Sequence, residues 1–143
     1  MLFQRVNRSD PEKIYVVAKN GSGATMTAGY PAFWDVEMTT ADGVQVTNSG
    51  TSTTLQAFAG VVDADIANGA YGLVQIYGFR SSARILSSAG SSAKGDNITA
   101  VAGNGLGPVA GTGVKQFGFL CSAITASSSS QFYTTADIFI RAL

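Results

Sequence analysis

The stretch Phe58–Phe79, FAGVVDADIANGAYGLVQIYGF, decides how the rest of the chain is read. It opens on an apolar, glycine-containing run from Phe58 to Val62. Asp63-Ala64-Asp65 follows, and short acidic side chains hydrogen-bond to nearby backbone and start turns. Asn68-Gly69 then supplies a dipeptide that tolerates positive φ. From Gly72 the residues alternate, with Val74, Ile76 and Gly78 on one face and Leu73, Gln75, Tyr77 and Phe79 on the other, which is the period of a strand. The pattern predicts strand, tight acidic turn, strand.

The first credible strand is Ile14 to Lys19, closed by Asn20-Gly21-Ser22-Gly23. Tyr30 to Val36 is a second extended piece carrying Trp34, and Val44 to Val46 is a short strand after Asp42-Gly43. Arg84 to Leu86 extends or follows the central hairpin, and Ile98 to Val101 is a weak strand. Gly103 to Pro108 and Gly111 to Gly113 read as punctuation. Near the end Phe117, Phe119, Cys121 and Ala123 share one face, as do Phe132, Thr134, Ala136, Ile138 and Ile140. Opposite the latter lie Tyr133, Asp137, Phe139 and Arg141, so Phe139 sits on the more polar face, covered by a neighbouring chain or by another loop.

Apolar spacing of three and four never persists, and 17 glycines with many Thr and Val argue against long helices. The expectation is all-β: a compact barrel or sandwich of short strands. Residues 14–143 form one barrel-like domain in this reading. Residues 1–13 form an extended arm that mixes Leu2, Phe3 and Val6 with Arg5, Arg8, Asp10 and Glu12, and Pro11 interrupts any regular pairing. There is also an internal echo. Ala28-Gly29, Gly43-Val44 and Phe58-Ala59-Gly60-Val61-Val62 run parallel to Lys94-Gly95, Gly105-Leu106 and Phe117-Gly118-Phe119-Leu120, as in a barrel assembled from two similar halves.

Charged residues are 13% of the 143, with nine basic against nine acidic and no run of either sign. That lacks the electrostatic footprint of a nucleic-acid binder. So sparse a charge suits a surface held against other protein, or simply a Gly/Ser/Thr-rich β domain. The amino terminus has no secretory h-region, and no apolar run approaches the roughly twenty residues of a membrane span. The expectation is a protein made and used without export, with no membrane partner. Cys121, the single cysteine, lies in an apolar run and reads as a buried small hydrophobe.

Histidine is absent, which removes the commonest general base and most zinc sites. Asp63 with Asp65, and Asp35 with Glu37, are close carboxylate pairs without the further ligands of a calcium loop. Turn-capping or solvation is the expected role, with no metal, no cofactor and no catalysis. Gly60 to Gly69 looks locally like the uracil-pocket motif of trimeric dUTP pyrophosphatases. Ile66 stands where that family stacks an aromatic ring, and its phosphate loop is missing, so the enzymatic reading is rejected.

A longer resemblance spans residues 14 to 124. Gly60-Val-Val-Asp-Ala-Asp-Ile66 followed by Asn68-Gly69-Ala-Tyr-Gly72-Leu-Val74-Gln-Ile-Tyr-Gly78 resembles the core hairpin of small tailed-phage capsid decoration, or cement, proteins. Ala28-Gly29-Tyr30 and Lys94-Gly95-Asp96 stand where that family has flanking turns, with Tyr30 in place of the usual acid. The resemblance implies a compact β-barrel bound to the outside of a phage head, often as a homotrimer, assembled in the host cytoplasm, with the major capsid protein as partner. Leu2, Phe3, Arg5 and Val6 of the arm, with Phe139 and Arg141, are the expected partner-facing residues. A reading from another class is a carbohydrate-binding or adhesive β module of a phage fibre, to which Trp34, Phe33, Tyr77 and Phe79 would contribute aromatic surface.

Overall fold

The computed structural model describes residues 12–36, 43–48, 54–87, 91–101, 105–108, 115–125 and 132–142. The arm residues Leu2, Phe3, Arg5 and Val6 lie outside the described residues. Among the described residues nine strands form one mixed sheet: β1 (Lys13–Asn20), β2 (Pro31–Trp34), β3 (Gln45–Thr47), β4 (Phe58–Val62), β5 (Tyr71–Ser87), β6 (Asn97–Val101), β7 (Gly105–Pro108), β8 (Gly118–Leu120) and β9 (Phe132–Arg141). The only helical element among the described residues is a 3₁₀ turn at Thr54–Ala57. The all-β expectation holds.

The sheet order is β1-β3-β2-β4-β5-β7-β6-β8-β9, and β1 and β9 each pair with β5 as well. Those two extra pairings close two rings. The first runs β1-β3-β2-β4-β5 and back to β1, the second β5-β7-β6-β8-β9 and back to β5. Each contains one parallel contact, Lys19 opposite Gln45 in the first and Ile85 opposite Leu106 in the second. β5 belongs to both. Its 17 residues are long enough to serve two rings in series: Tyr71 to Gly78 pair with β1, and Tyr77 to Ser87 pair with β9.

The internal echo is therefore structural, and its hydrogen bonds match. Gly29 N–H donates to the Val62 carbonyl at 2.9 Å and Val62 N–H to the Tyr30 carbonyl at 2.9 Å. In the second half Gly95 N–H donates to Leu120 and Leu120 N–H to Asp96, both at 2.8 Å. Gly29 at φ 82° and Gly95 at φ 96° occupy the left-handed region that these turns require. Reciprocal bridges join Met26 to Ile66 and Ser92 to Ile124. The middle members shift from the sequence alignment: Val46 opposite Trp34, rather than Val44, is the counterpart of Leu106 opposite Ala100.

The described residues form two buried clusters. Ala18, Met26, Ala32, Val46, Ala59, Val62, Ile66 and Val74 form one. The other joins Ala83, Ile85, Ile98, Leu106, Leu120, Ile138 and Ile140 of the second ring to Phe33, Phe58 and Val61 of the first. β2 and β4 thus send alternate residues into different clusters, Ala32 against Phe33 and Val62 against Val61. Burial on both faces explains why FAGVV is continuously apolar rather than alternating.

Three local expectations change. The central hairpin exists, with Val61 opposite Gln75 and Val62 opposite Val74, but its connection is not a tight turn. The chain runs out to bridge Met26 at Ile66 and reverses only at Ala67–Ala70, where Ala70 N–H meets the Ala67 carbonyl at 3.0 Å. The Gly105–Pro108 segment, read as punctuation, is strand β7. Four residue pairs tie it to β6, and Gly107 lies where a Cβ would stand 2.8 Å from Val101, so small residues are what this close approach needs. Cys121, read as a buried small hydrophobe, is only half-buried just beyond β8, whose buried large side chain is Leu120.

Candidate functional site

β5 crosses from one ring to the other with an irregularity. Its pairing with β9 runs Arg80 opposite Ile138 and resumes at Ala83 opposite Ala136, leaving Ser81 and Ser82 as a bulge. Ser82 sits at φ 57°, the one non-glycine residue with positive φ among the described residues. Such a conformation is uncommon for a side-chain-bearing residue, and bulges re-aim the side chains beside them. The bulge is held by its neighbours. The Gly29 carbonyl accepts from Arg84 N–H at 2.8 Å, and a Cβ on Gly29 would stand 2.6 Å from the Ser82 carbonyl. The first-half turn therefore docks closely on the strand that opens the second half.

Where they meet there is a cleft of about 380 Å³, lined by Tyr30 and Ala28 from the turn, Ser82 and Arg84 from β5, and Tyr133, Thr134 and Thr135 from β9. The Arg84 guanidinium lies over two rings, 4.3 Å from the Tyr30 centroid and 3.7 Å from that of Tyr133. Stacking covers faces and leaves the in-plane N–H donors unspent. Among the described residues, no carboxylate or carbonyl accepts from that guanidinium. Two carboxylates reach the cleft's backbone, Asp65 accepting from Ala28 N–H at 2.8 Å and Asp137 from Ser82 N–H at 3.4 Å.

The acidic turn does not do what its sequence suggests. Asp63 pairs with Arg80 of β5, which also reaches the Asp63 carbonyl at 3.0 Å, and Asp65 is spent on Ala28. Both tie separate elements together rather than closing their own turn. Among the described residues no group of three or more His, Cys, Asp or Glu side chains is arranged to hold a metal. Glu37 lies outside the described residues. The Cys121 thiol is pushed up from its ordinary value, first by burial and then by the nearby Asp137 carboxylate, with Lys94 acting the other way. Half-buried rather than buried, it is still held in its less reactive neutral form.

The expected partner-facing residues of β9 have other neighbours. Phe139 is half-buried and stacks on Phe119 at 5.2 Å with 7° between planes, while Tyr77 meets it edge-on at 5.2 Å. Arg141 is exposed, lies 3.4 Å from the Asn97 side-chain oxygen, and lines a second cleft of about 310 Å³ with Lys115 and Gln56. Of the aromatic set considered for sugar stacking, Phe33 is fully buried and Trp34 packs against the first cluster, so they do not join Tyr77 as an open platform. Sequence reasoning missed the cleft. The signal present was Ser81-Ser82, two adjacent small polar residues that interrupt the alternation between Phe79 and Ile85.

No protein-family model matches the sequence, and neither does any curated protein. Among solved structures the chain is similar in fold to the N base of head fiber gp8.5 of bacteriophage phi29. That likeness has a TM-score of 0.52 at 14% identity and covers 92% of this chain and 96% of that one.

Proposed function

We propose that this chain is a structural protein of a phage head, held on the outside of the capsid as a decoration protein with the major capsid protein as partner. The observation that carries the reading is the near-complete fold likeness to a head fiber base, 92% of this chain against 96% of that one. The sequence resemblance to cement proteins, found separately in Gly60–Gly78, supports the same assignment. A protein in this role needs no catalytic group. It works by summed interface area, since each copy that binds only the assembled shell stabilises it by mass action. A homotrimer is the proposed oligomeric state.

The proposed docking element is Met1–Asp10, whose Leu2, Phe3 and Val6 suit addition to a neighbour's free strand edge. Co-sedimentation of the protein with empty heads tests the reading. Full-length protein should pellet stoichiometrically, and a chain lacking Met1–Asp10 should bind at least tenfold more weakly while melting at nearly the same temperature. Failure of the full-length protein to pellet with any head of its own phage would overturn the assignment. Equal pelleting of both forms would remove the arm from the mechanism.

A second reading, an adhesive module carried on the head, is favoured by one observation: the open cleft around Arg84.

A further inference from the structure

We propose that the cleft between the Ala28–Tyr30 turn and the β5 bulge binds an acidic saccharide, with Arg84 taking its carboxylate or phosphate group. This stands apart from the capsid-docking reading, since it concerns a site complete within the isolated chain.

Arg84 is the basic residue of the cleft lining. A guanidinium is charged at every accessible pH and presents five N–H donors in its own plane. Its contacts with Tyr30 at 4.3 Å and Tyr133 at 3.7 Å use its face. The in-plane donors find no acceptor among the described residues, although the side chain is half-buried. Carboxylate and phosphate oxygens match that fork bidentately. The rings also fix the guanidinium plane beforehand, so less side-chain freedom is lost when an anion binds. Asp65 and Asp137 do not fill the place, because the contacts they make at the cleft are with the backbone amides of Ala28 and Ser82.

The rest of the lining points to a sugar as the carrier of the anion. Ser82 and Thr135 add hydroxyl-bearing side chains, each able to donate and accept as sugar hydroxyls do. The cleft, at about 380 Å³, falls at the lower end of the roughly 300–1,000 Å³ of small-molecule sites. A space of that size accommodates one or two sugar rings. The tyrosines offer ring edges beside the hydroxyls, and Tyr133 remains 44% exposed, so a ligand entering from solvent meets it first. Ser82 supplies the independent mark of function. It holds positive φ at a bulge that the first-half turn clamps, and strain of this kind concentrates at ligand sites.

The test is titration of the full-length protein with methyl glucuronide, glucose 1-phosphate and neutral methyl glucoside, read by calorimetry and by ring resonances of labelled tyrosine. Both acidic sugars should bind saturably and the neutral glycoside at least tenfold more weakly. Binding should also weaken with added salt, as expected of a solvent-facing ion pair. Tyr30 and Tyr133 should shift on titration and Tyr71 should not. Arg84→Lys, which keeps the charge but loses the fork, should weaken the acidic sugars at least tenfold with an unchanged circular dichroism spectrum. The wild-type tyrosine shifts decide the matter should that variant fail to fold. Absence of saturable binding by either acidic sugar overturns the proposal, as does equal binding by Arg84→Lys or a shift confined to Tyr71. An acidic dipeptide, acetyl-Asp-Glu-amide, that bound as tightly as the glucuronide would overturn the saccharide assignment and give the cleft to a protein carboxylate. None of these readouts depends on whether the protein pellets with heads.

Discussion

At Gly60 and Gly118, counterparts in the two halves, a Cβ would run into the carbonyl of the neighbouring strand, that of Gln75 and of Phe139 respectively. Gly60 also sits at φ 149°, and the obstruction is backbone, which cannot step aside. Gly60→Ala should therefore cost about 2–4 kcal/mol. Gly69 has positive φ but open space around it, so Gly69→Ala should cost only about 1 kcal/mol. Urea midpoints of the two variants check this, and equal losses would show that close approach is not what Gly60 provides. Asp63 makes a different kind of contact. Asp63→Ala strips the mostly buried Arg80 of its carboxylate partner and should cost about 1–3 kcal/mol in the same assay. A loss below a few tenths would mean that Arg80 finds water instead. Cys121 should react with a disulfide reagent more slowly than a free thiol at pH 8. Its folded-state pKa is raised, so a smaller fraction is thiolate there, and the rate should climb only at higher pH.

Among the elements, β5 carries the most hydrogen-bonded neighbours. It meets β1, β4, β7 and β9, and at Tyr77 and Gly78 it is paired on both sides at once, with Ile14 and Lys13 across one edge and Arg141 and Ile140 across the other. Amide exchange should be slowest at Val74, Gln75 and Ile85, which are fully buried on this strand, and much faster at the three-residue β3. Protection of β3 equal to that of β5 would contradict the topology. This strand also shows what was legible in the sequence. Its first half alternates cleanly and reads as a strand. Its second half does not, because Ser81-Ser82 breaks the alternation and the pattern gives no sign that the chain stays paired through a bulge. β7 is hidden in the sequence for a related reason. Gly105-Leu106-Gly107-Pro108 has almost no side chain with which to signal a strand, and what holds it is its four-pair ladder to β6. The Tyr30–Arg84–Tyr133 grouping was invisible because its members lie on three elements brought together only by ring closure.

On the scale of the whole molecule, the duplication was readable from matched glycine turns, but the sharing of β5 was not, since no local pattern says that one strand will serve two rings. That sharing has a thermodynamic consequence. Two separate barrels would each have their own core and could unfold independently. Here Phe33, Phe58 and Val61 of the first half complete the cluster of the second, and Phe58 meets Phe117 at 4.6 Å between ring centroids. Opening either ring would expose those side chains and release one edge of β5. The two halves should therefore melt as one unit, as small single domains do. Trp34 reports on the first ring, since it packs against the first cluster, and a probe attached at Cys121 reports on the second. Urea transitions followed by tryptophan fluorescence and by the Cys121 label should coincide within error. Phe58→Ala, a change in the first half, should shift both by the same amount, a loss of about 3–5 kcal/mol for truncating a buried aromatic. Transitions that separate, or a Phe58→Ala effect confined to the tryptophan signal, would show that the rings fold as independent units despite the strand they share.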